Sequence, residues 1–161
     1  MTISTPNFVN VNISQIKGDY TRTIAVRYNV FVVEQGYHAK WQMDDIDHLG
    51  IHWIATADQV DEQGVTICPN VDIGTIRLIP KHDGLVKLTR FAVIKEARGL
   101  KVGQALVKVF VKYCQEHGYH TIVLHSQYPR RGFYQKVGFV LEEGDDDIFD
   151  EAGTPHVRLW M

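Results

Sequence analysis

Arg98-Gly99-Leu100-Lys101-Val102-Gly103 is the stretch whose reading decides the fold. An apolar, strand-like run from Leu85 to Ile94 leads into it, and an amphipathic helical pattern from about Lys101 to His117 leads out. A glycine-bearing turn that opens a helix directly after a strand gathers free backbone N–H groups at one point. The helix dipole adds partial positive charge there, so the turn suits an anion, above all a phosphate. Arg98 and Lys101 add two full charges. The reading is a turn in which Arg98, Gly99, Leu100, Lys101, Val102 and Gly103 hold a pyrophosphate, mostly through backbone N–H groups. The plain alternative is an ordinary strand-to-helix turn with a basic first residue.

On either side of this turn the chain alternates strands and helices. Phe8 to Ile13 alternates with period two, as a strand does. Asp19 is suited to cap a helix running from Tyr20 to about Val33, where the β-branched Val30, Val32 and Val33 blur its end. Glu34 to Gly50 is polar and irregular, with room for a short helix near Ala39 to Met43. Ile51 to Ala57 and Val71 to Ile79 read as strands around a loop, Asp58 to Asn70. His82-Asp83-Gly84 supplies turn chemistry, so Val71 to Ile94 reads as an antiparallel hairpin. After the central helix, Gly118 stops it, and Tyr119 to Leu124 is a nearly continuous apolar strand of the buried kind. Pro129 to Val137 is a second helix, Phe139 to Leu141 a strand, Glu142 to Gly153 an acidic loop, and His156 to Met161 a last strand. With no repeat and no linker, residues 1–161 read as a single α/β domain with a mixed sheet.

Composition bounds the function. The chain has 161 residues, 45% apolar and 22% charged, and a formal net charge of −2. That balance gives no field for nucleic acid or an anionic membrane. No apolar run approaches the ~20 residues needed to span a bilayer. Met1 to Asn10 lacks the basic-then-apolar layout of a secretory signal. Cys114 falls on the apolar side of the helix, so a buried thiol is expected rather than a disulfide with Cys68, and a cytoplasmic, reducing location fits. The motifs Gly-x-Gly-x-x-Gly and Gly-x-x-x-x-Gly-Lys-Ser/Thr are absent, which argues against a dehydrogenase or a kinase.

Taken with Gly132-Phe133-Tyr134-Gln135-Lys136-Val137-Gly138-Phe139, the turn at Arg98 to Gly103 resembles the GNAT superfamily of acyl-CoA-dependent N-acetyltransferases. The family's turn is Arg/Gln-x-x-Gly-x-Gly/Ala, and its later signature is Phe-Tyr-x-x-x-Gly-Phe. Val30 to Gln35, the acids from Asp44 to His48, and the ending Phe149 to His156 are similar to the ElaA-like branch. The resemblance implies a mixed, mostly antiparallel sheet flanked by helices, with central strands that splay apart. It also implies direct acetyl transfer from acetyl-CoA to an amine, without a metal, in a family where dimers are common. The alternative is a non-catalytic module that holds acyl-CoA on the same fold. Two departures stand out: Lys101 occupies a position where the family usually has Gly, and Pro129 one where many relatives have Asn.

The resemblance also assigns roles. Backbone groups of Phe91 and Val93 would face the pantetheine arm, and Gln127 would bond that arm or the acceptor. Phe133 and Tyr134 carry the Phe-Tyr signature, and the Tyr134 hydroxyl would stand near the thioester sulfur. A phenol, with a reference pKa of about 10, can donate a proton to a departing thiolate. Arg130 and Arg131 oppose the dipole at the start of their helix, which suggests a cofactor phosphate as their use, solvated charge being the alternative.

For the base, Glu34, Asp44, Asp45, Asp47, His48, His125 and His156 all compete. Glu34 is placed where burial would raise its pKa, and His125 ends the strand beside the acetyl group. The Asp44 to His48 group fits neither a zinc nor a calcium pattern, so a solvated acidic loop is expected there and at Glu142 to Glu151. Their charge would favour a cationic amine acceptor.

Overall fold

The computed structural model describes residues 7–161; the first six positions of the N-terminal stretch read above lie outside them. Strand β1 (Asn7–Ile16) is followed by helix α1 (Thr21–Arg27), which widens without a break into a π-helical segment, Tyr28–Glu34. The short helix α2 (Ala39–Gln42) and a 3-10 turn at Asp47–Leu49 lead to β2 (Ile51–Val60), β3 (Thr66–Pro80) and β4 (Leu85–Val93). Helix α3 (Val102–Glu116) crosses over to β5 (Thr121–Gln127). A 3-10 turn at Tyr128–Arg130 runs into α4 (Arg131–Lys136), and β6 (Phe149–Glu151) and β7 (Thr154–Trp160) close the chain.

The strands form one sheet in the order β1-β2-β3-β4-β5-β7-β6. Every pair is antiparallel except β4 and β5, which the crossover through α3 makes parallel. The α3 stripe Val102, Leu106, Val107, Phe110 and Cys114 is fully buried, as its amphipathic spacing demands. Gly74 on β3 lets this helix approach, since a Cβ there would stand 3.0 Å from a Leu106 methyl. Cys68 and Cys114 are both free, and burial pushes the Cys114 thiol up to about 11.

Two local features open the middle of the sheet. Partners run in register from Leu85 opposite Thr121 to Leu88 opposite Leu124, and there the pairing of β4 with β5 ends. Beyond that point the two strands splay. On its other edge β4 carries a bulge: Ala92 faces Thr75 and Thr89 faces Arg77, so two residues, Arg90 and Phe91, oppose one. Arg90 sits in the left-handed region at φ 48. The main chain at Phe91 therefore has no register partner on either side.

Several boundaries differ from expectation. The loop predicted at Asp58 to Asn70 is mostly strand, because β2 and β3 extend into a projecting hairpin closed by Asp61, whose carboxylate accepts from the Gln63 and Val65 N–H groups at 2.9 Å. Thr66 to Asn70 is exposed throughout, so no buried face writes an apolar alternation into it. Pro129 to Val137 divides between a 3-10 turn and the six residues of α4. The strand predicted at Phe139 to Leu141 reduces to one bridge, Val140 with Trp160, and the acidic loop contains β6.

Candidate active site

The splay opens a cleft of about 790 Å³ that runs from the Arg98–Gly103 turn, between β4 and β5, to the side chains of Asp44 and Arg77. At one end stands the N-terminus of α3. The backbone N–H groups of residues 99 to 104 find no hydrogen-bond partner among the described residues; the first helical bond runs from Ala105 N–H to the Lys101 carbonyl. No side chain caps this helix. Such an end accommodates a phosphate.

Lys101 adopts φ 62, ψ 22, a left-handed conformation that glycine takes without strain. Its side chain is exposed and makes no hydrogen bond among the described residues. Gly103 has a packing reason to be glycine: a Cβ would stand 3.0 Å from the Phe91 ring and 3.2 Å from Phe133, which stack on each other at 5.5 Å.

Arg98 does not reach out from the turn. Its Nη1 and Nη2 donate to the Glu34 carboxylate at 2.5 and 2.6 Å, and Nε and Nη2 donate to the Val93 carbonyl at 3.2 and 3.0 Å. This overturns the expectation for Glu34. Hydrogen bonding to Arg98, its largest influence, holds the carboxyl below its ordinary value despite partial burial. The pair joins the π-helical segment to the turn. Val93 lines the cleft with its carbonyl already engaged, and Phe91 lines it from the bulge, without a register partner on β3 or β5.

Tyr134 lines the cleft beside Phe91, with ring centroids 6.0 Å apart, and is wedged between Phe133 and Phe139. Its hydroxyl makes no hydrogen bond among the described residues, and burial pushes its pKa well above the ordinary value. It therefore stays protonated at physiological pH. Gln127 donates to the Gln35 side chain at 2.9 Å and accepts from Arg130 Nε at 3.2 Å, bridging β5 to the end of the π-helical segment. Arg130 and Phe133 line the cleft. Leu100 and Arg131 do not: Arg131 donates to the Tyr128 carbonyl at 2.6 Å and lies over the Tyr128 ring at 3.7 Å, so the expected phosphate role gives way to a local stack.

On the opposite wall His125 Nδ1 lies 2.8 Å from Glu151 Oε1. A proton on Nδ1 directed at that carboxylate leaves Nε2 with the lone pair. The other Glu151 oxygen is 3.6 Å from Nε2 of the buried His156, whose Nδ1 meets the Thr154 carbonyl at 2.9 Å. Hydrogen bonding from His125 holds Glu151 below its usual range. Lys87 Nζ is 3.5 Å from His125 Nδ1, and burial lowers its pKa. Glu151 and Lys87 went unrecognised in the sequence. The acidic run hid the one residue that β6 turns into the cleft, and nothing in the strand pattern separates Lys87 from a surface lysine.

The two acidic loops divide: Asp45, Glu142, Glu143, Asp146 and Asp147 are exposed as expected, whereas Asp44, Asp47 and Asp145 are paired. Asp44 accepts from Arg77 Nη1 and Nη2 at 2.9 and 2.7 Å and from Arg90 Nη2 at 3.0 Å. Asp47 Oδ1 accepts from Arg27 and Arg77 at 2.9 and 2.7 Å. Burial works to raise the Asp44 pKa, but the hydrogen bonds and charge of Arg77, with Arg90 behind it, outweigh it and bring the group to about 2. Asp145 is likewise bound by Arg158 and by Trp160 Nε1 at 2.8 Å. Asp44, Asp47 and Asp145 are thus held by arginine and tryptophan partners, and the exposed acids Glu142, Glu143, Asp146 and Asp147 do not line the cleft. No metal-holding group of His, Cys, Asp or Glu occurs among the described residues, nor any helix long and apolar enough to cross a membrane.

Comparison with known proteins agrees with this geometry. Residues 48–141 match the family described as Acetyltransferase (GNAT) domain. A protein of Bacillus subtilis (strain 168) that carries the name acetyltransferase is 30% identical over 154 residues, 94% of this chain and 95% of its own length. The crystal structure of Escherichia coli ElaA superposes with a TM-score of 0.71 at 23% identity, covering 94% of this chain and 99% of its own. That of an acyl-CoA N-acyltransferase from Pseudomonas aeruginosa does so at 0.72 and 20%, over 94% and 99%. At these identities the two structures speak for the fold.

Proposed function

Because the chain belongs to the acetyltransferase (GNAT) family and is an N-acetyltransferase, we propose that it moves an acetyl group from acetyl-CoA directly to a primary amine. The observation that carries the reading is the alignment along one cleft of an uncapped phosphate turn, a strand edge beyond the end of β4–β5 pairing, a half-buried free phenol and a carboxylate–imidazole pair. Acetyl-CoA supplies the activated acetyl thioester.

The N–H groups of residues 99 to 104 hold its pyrophosphate, with Lys101 and Arg130 adding charge at the rim. The main chain at Phe91 and Val93 lines the arm, and a backbone N–H on this splayed edge of β4 is the group suited to polarise the acyl carbonyl. Gln127 closes the far side. His125 Nε2 takes the amine proton, and Glu151 steadies the imidazolium that forms. As the new C–N bond forms and the C–S bond breaks, Tyr134 gives its proton to the leaving thiolate. Arg98 and Glu34 support the turn instead of reacting.

A thiol-release assay over diverse primary amines tests this. Release that needs both acetyl-CoA and an amine supports it. Cofactor binding with no release across the panel would favour a non-catalytic acyl-CoA module.

A further inference from the structure

The acceptor end of the cleft carries more positive charge than its carboxylates neutralise. Arg77, Lys81, Lys87 and Arg90 line it against Asp44 and Glu151. The network beneath has the same imbalance, three arginines (Arg27, Arg77, Arg90) sharing two aspartates (Asp44, Asp47). Arg77 already takes both oxygens of Asp44, the carboxylate that Arg90 also uses.

Arg90 is held in place by its surroundings. Its guanidinium lies 4.6 Å over the Trp41 ring, Nη2 donates to the Trp41 carbonyl and Asp44 at 3.0 Å each, and Nε donates to the Gln42 carbonyl at 3.3 Å. Its Nη1 has no hydrogen-bond partner among the described residues. The bulge, with Arg90 at φ 48, sets this side chain directly before Phe91, in the part of β4 that no longer pairs with β5. Burial first, and then the charge of Arg77, bring its pKa down to about 10, which still leaves Arg90 a cation at neutral pH.

We propose that the amine acceptor carries an anionic group, a carboxylate or a phosphate, which docks on the free Nη1 edge of Arg90 while His125 and Glu151 across the splay face the amine. The proposal rests on the acetyl-transfer reading above and narrows its substrate class. Lys87, without an ion-pair partner among the described residues, is a second cation on the same strand. A polyamine would add charge where cations are already in excess, whereas an amino acid or an amino phosphate completes the network.

Matched pairs test it: ethanolamine against phosphoethanolamine, and phenethylamine against phenylalanine, followed by thiol release. The anionic member of at least one pair is expected to show a kcat/KM tenfold or more above its partner. The two pairs separate phosphate from carboxylate. Arg90→Gln should erase the preference mainly through KM, and Arg90→Lys, which keeps the charge without the fork, should retain part of it. Equal or better turnover of the members without the anionic group, or a preference that survives Arg90→Gln, overturns the proposal.

A second readout needs no turnover. Inorganic phosphate and acetate are titrated into the CoA-saturated protein while tryptophan fluorescence is followed, Trp41 being the ring under Arg90. A saturable change lost in Arg90→Gln supports the site, and no change with either anion overturns it. An anion bound at Arg90 with no thiol release from any amine would instead defeat the acetyl-transfer reading while leaving the anion site standing.

Discussion

Lys101 holds a side chain in a left-handed backbone conformation, and replacing it with glycine separates two effects. At φ 62, ψ 22 a side-chain-bearing residue sits in the left-handed region, which costs about 1–2 kcal/mol. Glycine removes that strain but gives up about 0.5–1 kcal/mol of backbone entropy. The balance favours Lys101→Gly by about 0.5–1 kcal/mol. In a domain of this size 1 kcal/mol moves Tm by about 2–4 °C, so thermal unfolding should shift upward by about 1–4 °C. Lys101→Ala keeps the strain and should show no such gain. Both variants lose a cation at the rim of the phosphate turn, so each should bind acetyl-CoA about two- to fivefold more weakly at low ionic strength. The difference should fade at high salt. A Tm that falls in Lys101→Gly, or rises equally in Lys101→Ala, would refute the strain argument. Unchanged affinity in both at low salt would refute the phosphate contact.

Other expectations are as direct. Tyr134→Phe should lower kcat by about a hundredfold, with acetyl-CoA affinity by calorimetry and Tm nearly unchanged, because the hydroxyl has no protein partner to abandon. Gly103→Ala drives a methyl to 3.0 Å from Phe91 and 3.2 Å from Phe133, so overpacking of about 1–3 kcal/mol should lower Tm by several degrees. Asp44 has a folded-state pKa of about 2 against an ordinary 3.8, so it contributes stability that is complete above about pH 4 and is lost as pH falls towards 2. That contribution is about 2 kcal/mol, and denaturant titrations of the wild type and Asp44→Asn across this window should converge at the acid end. Glu151→Gln should reduce kcat without changing acetyl-CoA affinity, since the carboxylate steadies His125 and lies away from the phosphate turn.

Much of the frame was legible in the chain because local chemistry dictates it. The apolar run before Arg98, the stripe from Val102 to Cys114 and the His82-Asp83-Gly84 turn each announce an element on their own. The splay was legible only through resemblance, since it arises where β4 and β5 stop pairing after Leu88 and Leu124, and both strands look continuous in sequence. Charge partners were the least legible. Asp44 and Asp47 read as solvated acids because Arg27, Arg77 and Arg90 lie far away along the chain and meet them only once the sheet is assembled. Glu34 misled for the same reason, its partner Arg98 being 64 residues away. The bulge that aims Arg90 depends on the register of β3 against β4, which no single-strand pattern encodes.

The central claim is that the uncapped turn at Arg98–Gly103 holds the cofactor of an acetyl transfer, and calorimetric titration with acetyl-CoA tests it most directly. The account predicts one molecule bound per chain at micromolar concentration, displaced by CoA and weakened by salt. No heat of binding at high micromolar acetyl-CoA, or equal binding of NAD or ATP, would contradict it.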